Sequence, residues 1–265
     1  MDARGPRDPA LRGGRFPGRP RGGHHADARP RRGARRAIDG HRRLRADQGP
    51  VLTRIPLADR LYRRPVSQRT TWWEGLYATS DVEDLPWYTP DLDKDFERAL
   101  TGHRLQGKRI LDLGTGPATQ AMNLAKRGFD VIGTDISSSA IKKAKAAAKA
   151  AGLTIEFRVD DILTSKLPAG FVDVIIDRGV FHVLPPEKRS VYVDTVLRIL
   201  RPHGWLLLKC FSDKQPGTFG PYRISSKELR GYFAKKFEIL SIADSTFQGT
   251  LKPNPKTLFA TFRRS

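Results

Sequence analysis

A single cysteine, Cys210, leaves no partner for a disulfide within the chain and no set of thiolates for a structural zinc. No apolar run approaches the ~18 residues of a membrane-spanning helix, and the first residues carry no apolar core like that of a secretory signal. A soluble, cytoplasmic protein with no metal and no membrane partner is therefore expected. Lysine is missing from residues 1–65, which hold 18 Arg and 6 Asp; the remaining 200 residues hold 14 Arg, 16 Lys and 22 acidic residues. The net charge of +20 thus divides into +12 and +8. Residues 1–65 are also dense in Gly and Pro, so they bury too little apolar surface to offset their ordering entropy. The expectation is a disordered segment over 1–65 and one domain over 66–265. The segment reads either as an arginine arm for nucleic acid or another anionic surface, or as a solvated tail or sequence translated ahead of the true start. A mitochondrial presequence fits less well, because the stretch is poor in Ser and carries six acids.

The rest of the chain is arranged around residues 109–120, R-I-L-D-L-G-T-G-P-A-T-Q. An aliphatic run delivers Asp112 and then Gly114 and Gly116, before an apolar-periodic segment begins. That predicts a strand, a tight turn and a helix start, the glycines letting a ligand approach the backbone closely. Asp112 ends a strand that should otherwise be apolar, and an acid there is costly without a donor to receive. Asp135 ends the next strand-like run, 131–134, where a carboxylate can accept from both hydroxyls of a ribose. The dinucleotide fingerprint calls for Gly or Ala at position 119, and this chain has Thr119.

Ahead of the turn, Trp72, Trp73, Trp87 and Tyr88 fall within a short stretch, a density that means either a core or a ligand cover. Leu92, Phe96 and Leu100 are spaced for an amphipathic helix. Strands are predicted at 131–134, 155–159, 171–176 and 205–210, alternating with helices, which is the signature of parallel βαβ units. Ala118, Ala121, Met122 and Ala125 should line the buried face of the helix after the turn, with Gly128 ending it. Ser137–139 can cap a helix over 140–151, with Ile141, Ala144 and Ala148 inward and Lys142, Lys143, Lys145 and Lys149 solvated. A helix starts at Pro185 and Pro186 and runs to Pro202, with Val193, Val196, Leu197 and Leu200 in phase. Ser225 and Glu228 have capping-box spacing for a helix reaching about Phe237, and 237–242 and 258–262 should pair as an antiparallel hairpin at the sheet edge.

The run Asp-x-Gly-x-Gly-x-Ala from Asp112 to Ala118 resembles the first motif of the class I S-adenosylmethionine-dependent methyltransferases, with Ala118 where a third glycine is usual. The departure is expected to be mild, since Ala needs little extra room. Asp160-Asp161-Ile162 resembles the third motif and Asp173 to His182 the fourth. Trp-Trp-Glu-Gly-Leu-Tyr, Leu-Pro-Trp-Tyr, Asp-Arg-Gly-Val-Phe-His and Leu-Lys-Cys-Phe-Ser are together similar to the thiopurine and tellurite-resistance branch. The resemblance implies a doubly wound, seven-stranded Rossmann-like α/β sheet of order 3-2-1-4-5-7-6, with S-adenosylmethionine as cofactor. It implies cofactor contacts from Asp112, Gly114, Thr115, Gly116, Asp135 and Ile136, then from Asp161, which would accept from the adenine amino group, and Ile162. Arg178 and Gly179 would follow, with Trp73, Trp87 and Tyr88 as a lid. Read from the residues alone, Asp160 and Asp161 also fit a plain strand-end turn, and the aromatics fit core packing.

A sulfonium carries its own leaving group, so the protein's task is to hold a nucleophile in line with the methyl group. Proton removal is needed only if the acceptor is not yet an anion. His182 and Asp177 are the available bases, although a loop histidine also serves as a structural donor. Cys210 reads as buried and inert. The Gly/Pro-rich loop 212–222 is placed to cover a substrate, with Arg223 near an anionic one. Neither Asn-Pro-Pro-Tyr or Asp-Pro-Pro-Tyr, as in nucleic-acid amino methyltransferases, nor the Pro-Cys of cytosine-C5 enzymes occurs. A small thiol, halide or metalloid acceptor and a monomeric enzyme are expected. The alternatives are an RNA or protein methyltransferase docking through the arginine arm, or a cofactor-binding module without turnover.

Overall fold

The computed structural model describes residues 66–218 and 220–265; the expectation for 1–65 lies outside them. Five parallel strands, β1 (Arg109–Leu113), β2 (Asp130–Asp135), β3 (Glu156–Val159), β4 (Val172–Arg178) and β5 (Leu200–Phe211), join β6 (Phe237–Thr246) and β7 (Lys256–Arg264) in one sheet. The order is β3-β2-β1-β4-β5-β7-β6, and β7 runs antiparallel to both β5 and β6. The winding direction reverses between β1 and β4, which are hydrogen-bonded neighbours. In open α/β sheets, that is where ligands bind, beyond the carboxyl ends of the strands.

Successive residues on a strand face opposite sides, so each central strand serves two cores. Ile110, Val131, Val174, Ile176 and Leu207 pack under α2 (Lys94–Gly102), α3 (Thr119–Ala125) and α4 (Ser138–Ala150). Leu111, Leu113, Ile132, Ile175, Leu206 and Leu208 pack under α5 (Pro186–Ile199) and α6 (Ser226–Phe233). Most of these side chains are wholly buried. Each stabilises the fold by about 1.5–3 kcal/mol relative to exposure.

Several local expectations need correction. Residues ahead of the motif form a helix, α1 (Val66–Thr79), which no 3.6-residue apolar stripe announces. Ala118 is buried beside Ala121 as expected, but it precedes α3 as the helix N-cap, in the left-handed region at φ 70°. The cost of alanine in place of glycine there is conformational, about 1–2 kcal/mol, and not one of room. Leu124 joins Ala121 in the core, while Met122 and Ala125 are only partly buried. α5 ends at Ile199 and passes straight into β5, so Leu200 is a strand residue and Pro202 lies within β5. α6 stops at Phe233, its capping box formed as expected by Ser225 and Glu228. Lys143 is not merely solvated: its Nζ donates to the Ser80 carbonyl at 2.6 Å, tying α4 to the end of α1.

Candidate active site

Beyond the carboxyl ends of β1 to β5 lies a cavity of about 630 Å³. That is within the ~300–1,000 Å³ usual for small-molecule sites. Its floor at one end is the turn after β1. Gly114 and Gly116 take φ of +69° and +52°, which keep glycine there, and a Cβ on Gly116 would stand 2.9 Å from the Tyr77 hydroxyl oxygen. Thr115 donates through its backbone amide to the Thr134 carbonyl at 2.8 Å, fixing the turn on β2.

Asp112 stands behind this turn rather than in the cavity. Its Oδ2 accepts from the Thr115 hydroxyl at 2.6 Å and the Ala121 amide at 3.1 Å, so the buried acid has its donors. Burial nonetheless pushes its pKa up to about 6. Asp135 lines the cavity. Its Oδ2 accepts from the Gly116 amide and its Oδ1 from the Ser137 amide, each at 2.9 Å, and burial raises its pKa to about 6. The carboxylate, with up to about four lone-pair sites, keeps acceptor capacity for a ligand. Ile136, Asp161 and Ile162 line the same end, and Asp161 holds its own loop by accepting from the Leu163 amide at 2.9 Å. Asp160 adds a buried Oδ2 with no hydrogen-bond partner among the described residues, an acceptor in want of a donor.

The roof is α1 and the stretch after it. Trp72, Trp73, Leu76 and Trp87 line the cavity, and Trp73 packs on Tyr77 and edge-on against Trp87. Tyr88 packs beside them but is not part of the lining. α1 is clasped to α4 by Glu74, whose carboxylate accepts from the hydroxyls of Ser137, Ser138 and Ser139 and from the Ser139 amide at 2.5–3.1 Å. Those bonds hold its pKa down to about 2.

At the other end, β4 leads into Arg178, Gly179 and His182, all on the cavity wall. Asp177 is not on it. Its carboxylate accepts from the amides of Gly179, Val180 and Phe181 and from the Tyr192 hydroxyl at 2.6–2.9 Å, which shapes the loop and leaves the acid remote from a substrate proton. Arg178 is likewise engaged within the protein: Nε pairs with Asp93 at 3.0 Å and Nη1 donates to the Trp87 carbonyl at 2.8 Å, while Nη2 donates to the Gln248 carbonyl. Lys209 joins Asp93 and Asp95 in the same buried network, at 2.7 and 2.6 Å. His182 is 5% exposed, and its Nδ1 accepts from the Phe211 amide at 2.9 Å. Burial, together with the guanidiniums of Arg189, Arg223 and Arg178, lowers its pKa to about 3. Cys210 is buried with its thiol pushed well up, so it is no nucleophile at neutral pH.

Residues that the sequence reading missed complete this end. Phe211 comes from β5, and Phe247, Leu251 and Pro255 from the β6–β7 connection. That connection meets the roof at close quarters, since a Cβ on Gly249 would lie 2.4 Å from the Pro86 carbonyl oxygen. Gln215, Gly220 and Pro221 bring the 212–222 loop to the lining as expected, while Arg223 stands over the Phe211 ring and donates to the Pro221 carbonyl.

Residues 110–204 match the methyltransferase domain family. Over 178 residues the chain is 30% identical to the 2-heptyl-1-hydroxyquinolin-4(1H)-one methyltransferase of Mycobacteroides abscessus, covering 64% of this chain and 78% of that one. The chain belongs to the S-adenosylmethionine-dependent methyltransferases. It is also 32% identical to EEF1A lysine methyltransferase 2 of Homo sapiens, over 49% of this chain and about half, 54%, of that relative. Among solved structures, TehB from Haemophilus influenzae superposes with a TM-score of 0.56 at 19% identity, covering 67% of this chain and 64% of that one. The 1,6-didemethyltoxoflavin-N1-methyltransferase of Burkholderia thailandensis, with its substrate and S-adenosylhomocysteine bound, superposes with a TM-score of 0.55 at 18% identity, covering 82% and 91%. As a member of that family, this methyltransferase uses S-adenosylmethionine as its cofactor. The donor-poor end of the cavity fits it: the orphan oxygen of Asp160 and the open lone pairs of Asp135 suit a nucleoside's amino and hydroxyl donors. Among the described residues no helix is long and apolar enough to cross a membrane, and no group of acids, histidines and cysteines could hold a metal ion.

Proposed function

We propose that this methyltransferase acts on a small organic nucleophile bound in the same cavity as its cofactor. The observation that carries this reading is the continuity of the cavity. One end presents Asp135, Asp160 and the glycine turn; the other is walled by Phe211 and Phe247, and Trp72, Trp73 and Trp87 of the roof line the same cavity. When bound, the cofactor supplies a sulfonium methyl group. Asp135 would hold its ribose hydroxyls, Asp160 and Asp161 would supply acceptors for its base, and Ile162 would offer an apolar contact there. Trp73 and Trp87 exclude water above it, which favours an anionic nucleophile that must shed its hydration to attack. Asp112, Thr115 and Asp177 act indirectly, by fixing the two loops that form the floor.

Within the expected classes of thiol, halide and metalloid acceptor, apolar aromatic walls favour an organic molecule over an inorganic ion. The named substrate of the Mycobacteroides abscessus relative, a hydroxyquinolinone, extends the range to heteroaromatic acids. Formation of S-adenosylhomocysteine, measured with panels of thiols, hydroxylated heteroaromatics, halides and metalloid oxyanions, tests the reading. Turnover of at least one organic acceptor is expected. Methyl transfer to RNA or to protein lysine, with no small acceptor turned over, would sink it.

A further inference from the structure

His182 carries one nitrogen that the fold uses and one that it does not. Nδ1 accepts from the Phe211 amide at 2.9 Å, so the neutral ring bears its proton on Nε2. Nε2 has no hydrogen-bond partner among the described residues, while the residue is 5% exposed and lines the cavity. The rings of Phe211 and Phe247 stand edge-on to the imidazole, with centroids 5.1 and 5.7 Å away, and pack on each other at 5.6 Å, so that they form an apolar aromatic wall beside that N–H. The charged groups that act on the ring are guanidiniums: Arg189 from α5, paired with Glu228 at 3.6 Å, Arg223 from the 212–222 loop side, and Arg178 from the end of β4, paired with Asp93 at 3.0 Å. Phe211 of β5 and Phe247 of the β6–β7 connection bring no charge.

We propose that His182 is the acceptor-binding donor of the methyl transfer: its Nε2–H grips one end of a planar aromatic anion, so that the enzyme selects an acceptor already ionised and removes no proton. This deepens the small-molecule reading and rests on it. A fixed N–H on a largely buried ring, with guanidiniums behind it, stabilises an anion more than it would in water. A donor placed on the attacking atom would blunt its lone pair. The arrangement therefore suits a conjugated acid whose charge spreads over two atoms, one held by His182 and the other free to attack. In the transfer, the acceptor's lone pair forms the bond to the methyl carbon, and the pair of the breaking carbon–sulfur bond stays on sulfur. The acceptor loses its negative charge, the sulfonium becomes a neutral thioether, and no proton moves.

The test uses the full chain loaded with S-adenosylhomocysteine and two probes, 4-nitrothiophenol and 2-heptyl-1-hydroxyquinolin-4(1H)-one. Fluorescence of Trp72, Trp73 and Trp87 reports binding, and visible absorption reports the ionisation of the bound thiol. At least one probe is expected to bind, ionised below its solution pKa by about one pH unit or more. In turnover, the inflection of kcat/KM with pH should follow the pKa of each acceptor used. His182→Phe keeps a ring and removes the donor. It should abolish the ionisation shift and lower kcat/KM roughly tenfold to a hundredfold, mostly through KM, leaving the shape of the pH profile intact. His182→Gln, whose amide nitrogen reaches the Nε2 position, should recover much of the loss. Should His182→Phe fail to fold, the wild-type ionisation shift and the acceptor-dependent inflection still decide the matter. One inflection shared by all acceptors and erased in His182→Phe would make His182 a base and overturn the proposal. So would binding of S-adenosylhomocysteine with neither probe bound. Failure to bind S-adenosylhomocysteine would instead overturn the parent reading.

Discussion

The glycine-turn half of the cavity and the β4–β7 half are assembled from contacts of different reach. In the first, Asp112 holds Thr115 and Ala121, three and nine residues on, and Asp135 holds Ser137, two residues on, and Gly116, 19 residues back. In the second, Arg178 reaches Asp93 across 85 residues, Lys209 reaches Asp93 across 116, and Ser245 reaches Asp95 across 150. The first half is a set of bonds to two carboxylates, three from backbone amides and one from the Thr115 hydroxyl, that neighbouring strand–turn–helix units bring with them. The second is a buried charge network that exists only once β4, β5, α2 and the β6–β7 connection have converged. One half is accordingly a local motif, the other a product of the whole fold.

The difference should appear most strongly when the network is cut. Asp93 faces both Lys209 and Arg178, is itself wholly buried, and caps α2 by accepting from the Asp95 amide. Asp93→Ala leaves two buried cations short of their counter-charge, and the expected loss is about 3–5 kcal/mol of stability. Urea unfolding measures it. A loss below about 1 kcal/mol would show that water reaches the network and that the β4–β7 half does not depend on long-range pairing. Because Arg178 also holds the Trp87 and Gln248 carbonyls, the surviving folded fraction should bind acceptors poorly and retain cofactor affinity better.

A smaller effect, confined to the other half, is expected at Asp135. Removing its carboxylate in Asp135→Ala takes away a ribose acceptor and should weaken S-adenosylmethionine binding by about 1–3 kcal/mol, with little change in acceptor KM. Calorimetry reads the first and steady-state kinetics the second. The pH dependence has a definite sign. Burial raises the folded pKa from 3.8 to about 6. The fold therefore favours the protonated acid, and this group's contribution to stability is complete below about pH 4 and lost as pH rises through about 6. Cofactor affinity runs the opposite way, because the carboxylate is the better acceptor. It should fall by up to about tenfold per pH unit below 6. Affinity that is flat from pH 7 to pH 5 would remove the ribose role.

The contrast also explains what the sequence disclosed. Strand order, the glycine turn, Asp112, Asp135 and the capping box of α6 all follow from residues within about 20 positions of one another, or from the family's motifs. Phe247, Leu251 and the partnership of Asp93 with Lys209 carry no such signal: each is an ordinary residue until a distant strand arrives beside it. Asp177 and Arg178 show the same limit from the other side. Their place at the end of the central strand was legible, but their engagement by backbone amides and by Asp93 was not, because the partners come from tertiary packing. α1 escaped notice since its apolar side is covered by only a few residues, Trp73, Leu76 and Tyr77, with its hold on the domain supplied by polar contacts.

That hold gives the smallest and most local effect. Glu74 sits over the N-terminus of α4, where the helix dipole favours a carboxylate and the Ser139 amide donates to it. It accepts four hydrogen bonds from Ser137, Ser138 and Ser139, and they lower its pKa from 4.5 to about 2. The sign is the reverse of that for Asp135: the clasp is fully present above about pH 4.5 and is lost as pH falls through about 2. Glu74→Gln keeps the size and one acceptor oxygen but removes the charge. Roughly two- to fivefold faster hydrogen exchange in α1 is expected, the scale of one carboxylate at a helix N-terminus, with the global unfolding midpoint nearly unchanged. The mutation acts on the roof alone, so it also asks whether the roof opens independently of the two halves beneath it. Equal acceleration of exchange in α1 and in β4 would mean that the roof and the β4–β7 half open as one unit, joined through Trp87 and Arg178.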